Sequence, residues 1–305
     1  MNPMGGSELV YLNILKYVKH IDKINLILST CDPKYIDPNK PNVILQELAY
    51  DQQAVQLMAE PQFTDLIDKF VFVSHWQYER FRRIFNVDPN KSVVIRNAID
   101  PIEYKPRQKM DKLKLIYTST PWRGLNVLLK AFELLERDDV ELHIYSSVRI
   151  YGDSFAQATQ KKYEPLFQKA REMKNVIYHG YAKNEEVRRA VAESHIYTYP
   201  SIFEETSCIA AIEAGAAGCK MVCVSYGALP ETCLGFSDFV LYSSDYRKLA
   251  EVYAEKLNQV INDYWSYDTQ MRLEQQTYCF NQYYCWENVT KEWEELIDKI
   301  SKRGI

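Results

Sequence analysis

The sequence predicts an α/β protein of two domains, each a parallel sheet wrapped by helices. Three observations carry that expectation. The chain has 305 residues, more than the roughly 100–200 of one ordinary domain. From about residue 112 onward, short β-rich runs alternate regularly with helical patterns, the signature of a doubly wound sheet. The first hundred residues repeat the alternation more weakly. With 47% hydrophobic and 26% charged residues, the composition excludes a disordered, collagen-like or mucin-like chain, and two domains of this size can each bury a core.

In chain order, the first half opens with a helix over 7–19, followed by strands over 23–29 and 42–46, the latter reading Asn-Val-Ile-Leu-Gln. A short helix near 52–59, a strand over 69–74, a helix over 77–85 and a strand over 92–96 follow. Residues 100–112, with Asp100-Pro101, Pro106 and several charges, have the composition of an interdomain connection. The second half offers strands at 114–119, 141–146, 175–179, 195–199, 221–225 and 238–242. Helices at 125–135, 157–171, 185–193, 207–218 and 248–261 alternate with them, carrying apolar residues at helical spacing or small residues suited to close helix–sheet packing. The last stretch places Val289, Trp293, Leu296 and Ile300 at spacings of three and four, an amphipathic helix that must dock on something. These elements divide the chain into domains at 1–106 and 107–280, with the helix over 286–300 completing the first.

Charge and cysteine usage narrow the function classes. A net charge of −4 leaves no basic excess for a phosphate backbone, so nucleic acid is not expected as a partner. Arg80, Arg82 and Arg83 form the densest basic patch and fit the solvated face of a helix. The seven cysteines include no Cys-x-x-Cys pair, as in reduced thiol proteins. No run of 18 apolar residues exists, and the start has neither a basic n-region nor an apolar h-region, so a cytoplasmic chain without a transmembrane segment is expected. The five histidines make no His-x-His or His-Glu-x-x-His spacing, there is no Asp-x-Asp, and His143, His179 and His195 fall on predicted strands as core residues. No metal is expected.

The most informative stretch runs from Pro200 to Gly218: a strand end, a polar loop and a helix of small apolar residues. Between Ser207 and Cys219 the one charged residue is Glu213. A carboxylate on a close-packing helix is costly unless something binds it. Hydroxyl groups of a ligand would serve; so would a salt bridge to a neighbouring basic side chain. Glu205 lies in the preceding loop, at the carboxyl end of a parallel strand, where ligands of open α/β sheets sit. The amides of Thr206, Ser207, Cys208 and Ile209 open the predicted helix and form an anion site suited to a diphosphate. A second anion contact is expected from Thr118-Ser-Thr-Pro-Trp-Arg-Gly124, where the Ser119 hydroxyl and the Arg123 guanidinium follow the first strand of this half. Near the start, Gly5 and Gly6 precede a helix and permit close backbone approach to a phosphate or sugar.

On these residues the chain resembles the retaining family-4 glycosyltransferases, whose GT-B fold has two Rossmann-like domains facing across a cleft. The resemblance runs from about residue 42 to 298. Its specific pieces are Asn175-Val-Ile-Tyr-His-Gly-Tyr181, Tyr199-Pro-Ser201, Glu205-x7-Glu213 followed by Ala214, and Gly227-Ala-Leu-Pro-Glu231, with Val93 to Asp100 resembling the family's interdomain segment. It implies a nucleoside diphosphate sugar on the second domain, with the Gly180-Tyr181 backbone beside the base, Glu213 on ribose hydroxyls and Glu205 facing the sugar as the catalytic-site carboxylate. Arg123 and the amides of residues 206–209 would neutralise the diphosphate, with no cofactor beyond the donor. The hydroxyl acceptor would be a glycan, lipid, protein or small molecule, with peripheral membrane contact in the lipid case.

The sequence departs from the family pattern in several places. The loop after the first strand of the second half is short, and Arg123 occupies the place of a family lysine. Thr206-Ser207-Cys208 stands where Gly-Phe-Gly is common. Four residues precede Gly5, so the strand expected there is missing, and either the coding start lies upstream or the first domain is reduced. A first-domain histidine of the family aligns with Glu47, near Asp51, which become the acceptor-side candidates. Two alternatives stay open: a degenerate GT-B protein that binds nucleotide or glycan without turnover, and a GT-B phosphorylase.

Overall fold

The computed structural model describes residues 6–149 and 153–301. By contact the chain divides into two units. One comprises Gly6–Asp100, Glu205–Ile209 and the chain from Tyr283; the other comprises Pro101–Glu204 and Ala210–Gln282. The division falls after Asp100, ahead of the boundary after residue 106 expected from composition. Hydrogen bonds explain the difference. Arg107 donates from Nε to the Ser194 carbonyl and from Nη2 to the Ala217 carbonyl, each at 2.8 Å. The Ile102 N–H donates to Asn281 Oδ1 at 2.7 Å, and Asn281 Nδ2 donates back to the Ile102 carbonyl at 2.9 Å. The charged connection is therefore part of the second unit.

The first unit contains α1 (Gly6–Tyr17), β1 (Asn25–Leu28), β2 (Asn42–Gln46), α2 (Pro61–Thr64), β3 (Lys69–Phe72), α3 (His75–Phe85) and β4 (Ser92–Val94). Its strands form one parallel sheet in the order β1-β2-β3-β4. Every residue of β2 is buried, and a strand covered on both faces needs an apolar run rather than alternation. The pleat still sorts the side chains. Val43, Leu45, Val71 and Val73 face Val10 and Ile14 of α1, while Ile44, Phe70 and Phe72 face Val55, Met58, Phe63 and Phe81. The helix expected over 52–59 is a 3-10 stretch, Gln53–Ala59. Ser74 caps α3 by accepting the Gln77 N–H at 3.0 Å, and Asn86 ends that helix at φ 52°, the left-handed stop that asparagine tolerates.

The second unit contains β5 (Leu113–Thr118), α4 (Leu125–Leu135), β6 (Val140–Tyr145), α5 (Asp153–Glu172), β7 (Val176–Tyr178), α6 (Asn184–Glu193), β8 (Ile196–Tyr199), α7 (Ile209–Ala216), β9 (Lys220–Ser225), α8 (Leu229–Thr232), β10 (Asp238–Leu241), α9 (Tyr246–Asp263) and α10 (Tyr267–Tyr283). All six strands are parallel, in the order β10-β9-β8-β5-β6-β7. The chain runs outward from β5 through β6 and β7, crosses back to β8, and runs outward the other way. The β5/β8 pair is therefore the topological switch point, and the loops leaving these two strands diverge to leave a crevice at the carboxyl edge.

Helix α10 has no counterpart among the sequence expectations, because its exposed face also carries Tyr267, Met271 and Tyr278, which blurs the helical period. Its buried side explains the small residues of α7. A β-carbon on Gly215 would run into the Phe280 ring, and Gln276 Nε2 donates to the Gly215 and Cys219 carbonyls at 3.1 and 2.9 Å. The last helix, α11 (Trp286–Ser301), packs Trp286, Val289, Trp293, Leu296, Ile297 and Ile300 into the α1 face of the first unit, the docking its amphipathic pattern requires. Arg96 fastens it, donating from Nε to the Tyr283 carbonyl at 2.8 Å and pairing with Glu292 at 2.6 Å. Among the described residues no helix is long and apolar enough to cross a membrane.

Candidate functional site

At the switch point of the second unit, two loops are locked together by backbone geometry. Gly124 adopts φ +104°, and a β-carbon there would run into the Pro200 carbonyl. Only glycine meets both demands. The turn after β5 thus lies directly against the end of β8. Ser119 Oγ sits 3.2 Å from the Tyr199 hydroxyl, and the Arg123 guanidinium lies over the Phe203 ring at 4.2 Å, a cation–π contact. Ser201 holds Phe203 in place, accepting its N–H at 3.2 Å and donating to its carbonyl at 3.1 Å. The Ser119 hydroxyl and the Arg123 guanidinium therefore both lie in the turn leaving β5, each against a ring from the end of β8 or the loop after it. Phe203, which braces the arginine, carried no sequence signal beyond its place in the loop.

Further along the same edge, Gly180 turns the chain out of β7 at φ +71° and Tyr181 is half exposed. The Tyr178 hydroxyl donates to the Ser146 carbonyl at 2.9 Å, tying the ends of β6 and β7. His179 is not the core residue the sequence predicts. It is exposed, stacks on Tyr145 at 4.2 Å with the rings 3° apart, and meets His143 Nδ1 through its Nε2 at 3.0 Å. His143 is part-buried and its Nε2 meets Glu141 at 3.0 Å. β7 is the edge strand, so its terminal side chain has no outer neighbour to bury it. His195 does lie in the core. Its Nδ1 accepts the Lys114 N–H at 3.0 Å, and burial pushes its pKa down to about 4.

Glu213 projects from α7, with its Oε1 3.1 Å from Arg188 Nε on α6. Of the two partners the sequence leaves open for this carboxylate, the structure supplies the basic side chain. The pair retains 33% and 19% side-chain exposure, so the carboxylate is neutralised without being sealed. Arg188 was invisible in the sequence because it is one of several charges on an otherwise solvated helix.

The segment Glu205–Ile209 groups with the first unit. α7 starts at Ile209, later than the predicted start at 207, so Thr206, Ser207 and Cys208 lie ahead of the first turn and Ile209 opens it. Hydrogen bonding accounts for the late start. Ser74 Oγ donates to the Thr206 carbonyl at 2.6 Å, and Thr206 Oγ1 donates to the Glu47 carbonyl at 2.9 Å. Glu205 is buried at 4% exposure. Gly6 begins α1, with Ile209 Cδ1 at van der Waals distance from where its β-carbon would be. Gly5 lies outside the described residues.

Of the acceptor-side candidates, Glu47 is partly buried at the carboxyl end of β2, while Asp51 is exposed and accepts from Gln52 Nε2 at 3.2 Å. Glu47 Oε2 accepts from Asn97 Nδ2 at 3.3 Å, and Oε1 is sealed from solvent without a hydrogen-bond partner. Burial pushes the pKa of this carboxyl up to about 8; the nearby Glu8 charge adds to the rise and the Asn97 bond opposes it. Asn97 lies in the segment between the two domains, and nothing in the sequence marks it as a partner of Glu47. Among the described residues, no three His, Cys, Asp or Glu side chains gather as a metal site would.

Comparison with known proteins bears on this arrangement at two levels. The sequence model of the glycosyl transferases group 1 family matches residues 103–279, more than half of the chain. No curated protein sequence matches. In three dimensions the chain is similar to a glycosyltransferase from Rickettsia africae ESF-5, at TM-score 0.69 and 15% identity over 96% of this chain and 80% of that one. It is similar to Anabaena HepE, solved with UDP and glucose, at TM-score 0.68 and 14% identity over 97% and 84% of the two chains. The pneumococcal O-GlcNAc transferase GtfA, solved with UDP and GlcNAc, follows at 0.66 and 12% over 97% and 60%. These likenesses carry the fold, two Rossmann-like sheets of the GT-B type, and the match over residues 103–279 carries the family: the chain belongs to the group 1 glycosyltransferases.

Proposed function

We propose that the protein transfers a sugar from a nucleoside diphosphate sugar to a hydroxyl acceptor with retention of anomeric configuration, without a metal ion, in the cytoplasm. The observation that carries this reading is the β5/β8 switch point, where Gly124 and Pro200 lock two loops that present Arg123 and Ser119 at the sheet edge. That edge is where an open parallel sheet binds nucleotides, and a guanidinium held over an aromatic ring is pre-set for a phosphate oxygen. HepE and GtfA were solved with UDP, which makes uridine diphosphate the first nucleotide to try.

In this reading Gly180 and Tyr181 lie beside the base, Glu213 grips ribose hydroxyls while Arg188 fixes its orientation, and Arg123, Ser119 and the amides of 206–209 offset charge on the diphosphate. Glu205 stabilises positive charge developing on the sugar. The bond from the anomeric carbon to the phosphate oxygen breaks, the bond to the acceptor oxygen forms on the same face, and the acceptor proton passes to the departing phosphate oxygen. Fixed charges aimed at the leaving group lower this barrier because they need no reorganisation during the step.

The test is a panel of nucleoside diphosphates read by melting temperature, followed by hydrolysis of the sugar nucleotides of whichever base stabilises the protein. One diphosphate should raise the melting temperature, its sugar nucleotide should be slowly hydrolysed, and Glu205→Gln should abolish hydrolysis while retaining diphosphate binding. Stabilisation without turnover would instead mark a binding protein, a requirement for inorganic phosphate would mark a phosphorylase, and equal activity in Glu205→Gln would remove the role given to that residue.

A further inference from the structure

Two imidazoles meet at the outer edge of the second sheet. β6 alternates between the buried Val140, Leu142 and Ile144 and the half-buried Glu141, His143 and Tyr145, so the latter three share one face. β7 runs parallel beside it with Ile177 opposite His143 and Tyr178 opposite Ile144. One residue on, the His179 N–H donates to the Ile144 carbonyl at 2.9 Å. This register sets the His179 ring flat against Tyr145, with centroids 4.2 Å and planes 3° apart. β7 is the last strand of the sheet, and Ile177, on the same face, is 40% exposed. The imidazole pair is therefore open to solvent, unlike the buried His195.

A carboxylate behind the pair fixes which nitrogens hold lone pairs. Glu141 Oε1 lies 3.0 Å from His143 Nε2. An ionised carboxylate only accepts, so the network assigns the His143 hydrogen to Nε2 and leaves Nδ1 as a lone pair. That Nδ1 lies 3.0 Å from His179 Nε2, which supplies the hydrogen between them. A carboxylate on one imidazole nitrogen, with a lone pair on the other, is the arrangement that orients metal-bound histidines and raises their basicity.

The spacing points the same way. Two nitrogens each about 2.0–2.1 Å from one ion stand about 3.0 Å apart at an angle near 90°, and about 3.4 Å apart at a tetrahedral angle. The gap between the two rings is thus that of neighbouring positions on a tetragonal ion, the geometry of copper(II) and nickel(II), and is short for tetrahedral zinc. Glu186 of α6 acts on both His179 and Tyr145, and Glu193 acts on Tyr145, which adds negative charge beside the pair.

We propose that His143 and His179 form a two-imidazole site for a divalent transition-metal ion of the copper or nickel type, with Glu141 positioning His143 and water completing the coordination. The ion replaces the one hydrogen shared by the two rings. Lone pairs of His143 Nδ1 and His179 Nε2 bond to it, and the hydrogen of His179 Nε2 passes through solvent to Nδ1 of the same ring, which stays neutral. The bound ion ties the edge strand to β6 just before the Gly180 turn. The site is independent of the transferase reading, which uses no metal.

The experiment titrates the untagged full chain with copper(II) and nickel(II) chloride, followed by calorimetry, melting temperature and, for copper(II), electron paramagnetic resonance. The wild type should bind one equivalent, its melting temperature should rise because the ion favours the folded edge, and the copper spectrum should show coupling to two imidazole nitrogens. His143→Gln and His179→Gln should each lose binding at the ion concentration that saturates the wild type, whereas His20→Gln and His75→Gln should keep it. Glu141→Gln should weaken binding by about tenfold, the low end of the cost of losing a carboxylate behind a ligating histidine. Coupling to fewer than two nitrogens, binding retained in either His143→Gln or His179→Gln, or an equal loss in His20→Gln and His75→Gln overturns the site and marks adventitious surface binding. Melting of the ion-free variants reports whether they fold, and if one does not, the copper spectrum of the wild type decides.

Discussion

Arg188 and Glu213 lie 3.1 Å apart across two consecutive helices of the second unit, one partner on α6 and the other at the centre of the small-residue helix α7. The pair resolves how α7 carries a carboxylate among alanines and glycine. At 33% and 19% side-chain exposure the ion pair contributes modestly to stability, about 1 kcal/mol or less, so its main consequence is orientation. Arg188→Leu is expected to weaken diphosphate binding severalfold, and Glu213→Ala by about tenfold or more, since a hydrogen bond to a charged group is worth about 1.5–3 kcal/mol. Calorimetric titration with the stabilising diphosphate checks both. In the double variant the Arg188 effect should vanish, because its action runs through Glu213.

Gly124 carries two constraints at once, a φ of +104° and the Pro200 carbonyl where a β-carbon would stand. Gly124→Ala is expected to destabilise the chain by more than about 1 kcal/mol, because the native conformation does not suit an L side chain, and to weaken diphosphate binding by moving Arg123. Urea denaturation and the same titration would show both. A stable variant with unchanged affinity would mean that the turn after β5 has room to shift without disturbing the edge.

How much of this was legible in sequence depends on whether a residue's partner is local. Val43, Ile44 and Leu45 announce β2 because burial on both faces writes an unbroken apolar run, and β8 and β9 at the middle of the second sheet do the same, whereas β6 shows itself by alternating buried and half-buried positions. α10 was missed because Tyr267, Met271 and Tyr278 are exposed on the face opposite Leu273 and Phe280, so no single stripe stands out. The late start of α7 depends on Ser74 and Glu47, more than a hundred residues away, which no capping pattern within 200–218 can reveal. Glu205, Glu213 and Arg123 stand out as candidates by type and spacing, whereas Arg188, Phe203 and Asn97, which touch Glu213, Arg123 and Glu47, are defined only by folding.

Gly215 shows how tightly the second unit is packed. A β-carbon there meets the Phe280 ring, and core overpacking typically costs about 1–3 kcal/mol. Gly215→Ala should lose stability in that range, and Phe280→Leu should restore part of it by clearing the space. Thermal unfolding of the two single variants and the double variant measures the coupling, and independent, additive losses would show that the helices separate instead of repacking.

His195 gives the fold a defined acid limit. The ring is 1% exposed and takes the Lys114 N–H on Nδ1, while a backbone hydrogen bond at Gln108 opposes the effect of burial. Nδ1 is thus the acceptor, so the neutral ring carries its proton on Nε2, and charging it would put a cation among Tyr264, Trp265 and backbone. Its pKa falls from 6.5 to about 4, chiefly through burial. A histidine depressed in the folded state binds its proton more readily when unfolded. Its contribution is therefore intact above about pH 6.5 and is lost as the pH drops toward 4, by an amount on the order of 3 kcal/mol. His195→Gln should be less stable than the wild type at pH 7, having lost the ring packing, yet should decline less between pH 6.5 and 4. Urea midpoints at pH 7, 5.5 and 4 decide it: parallel declines in the two proteins would place the acid sensitivity elsewhere, with the exposed His179 and its stacked partner Tyr145 the next pair to alter.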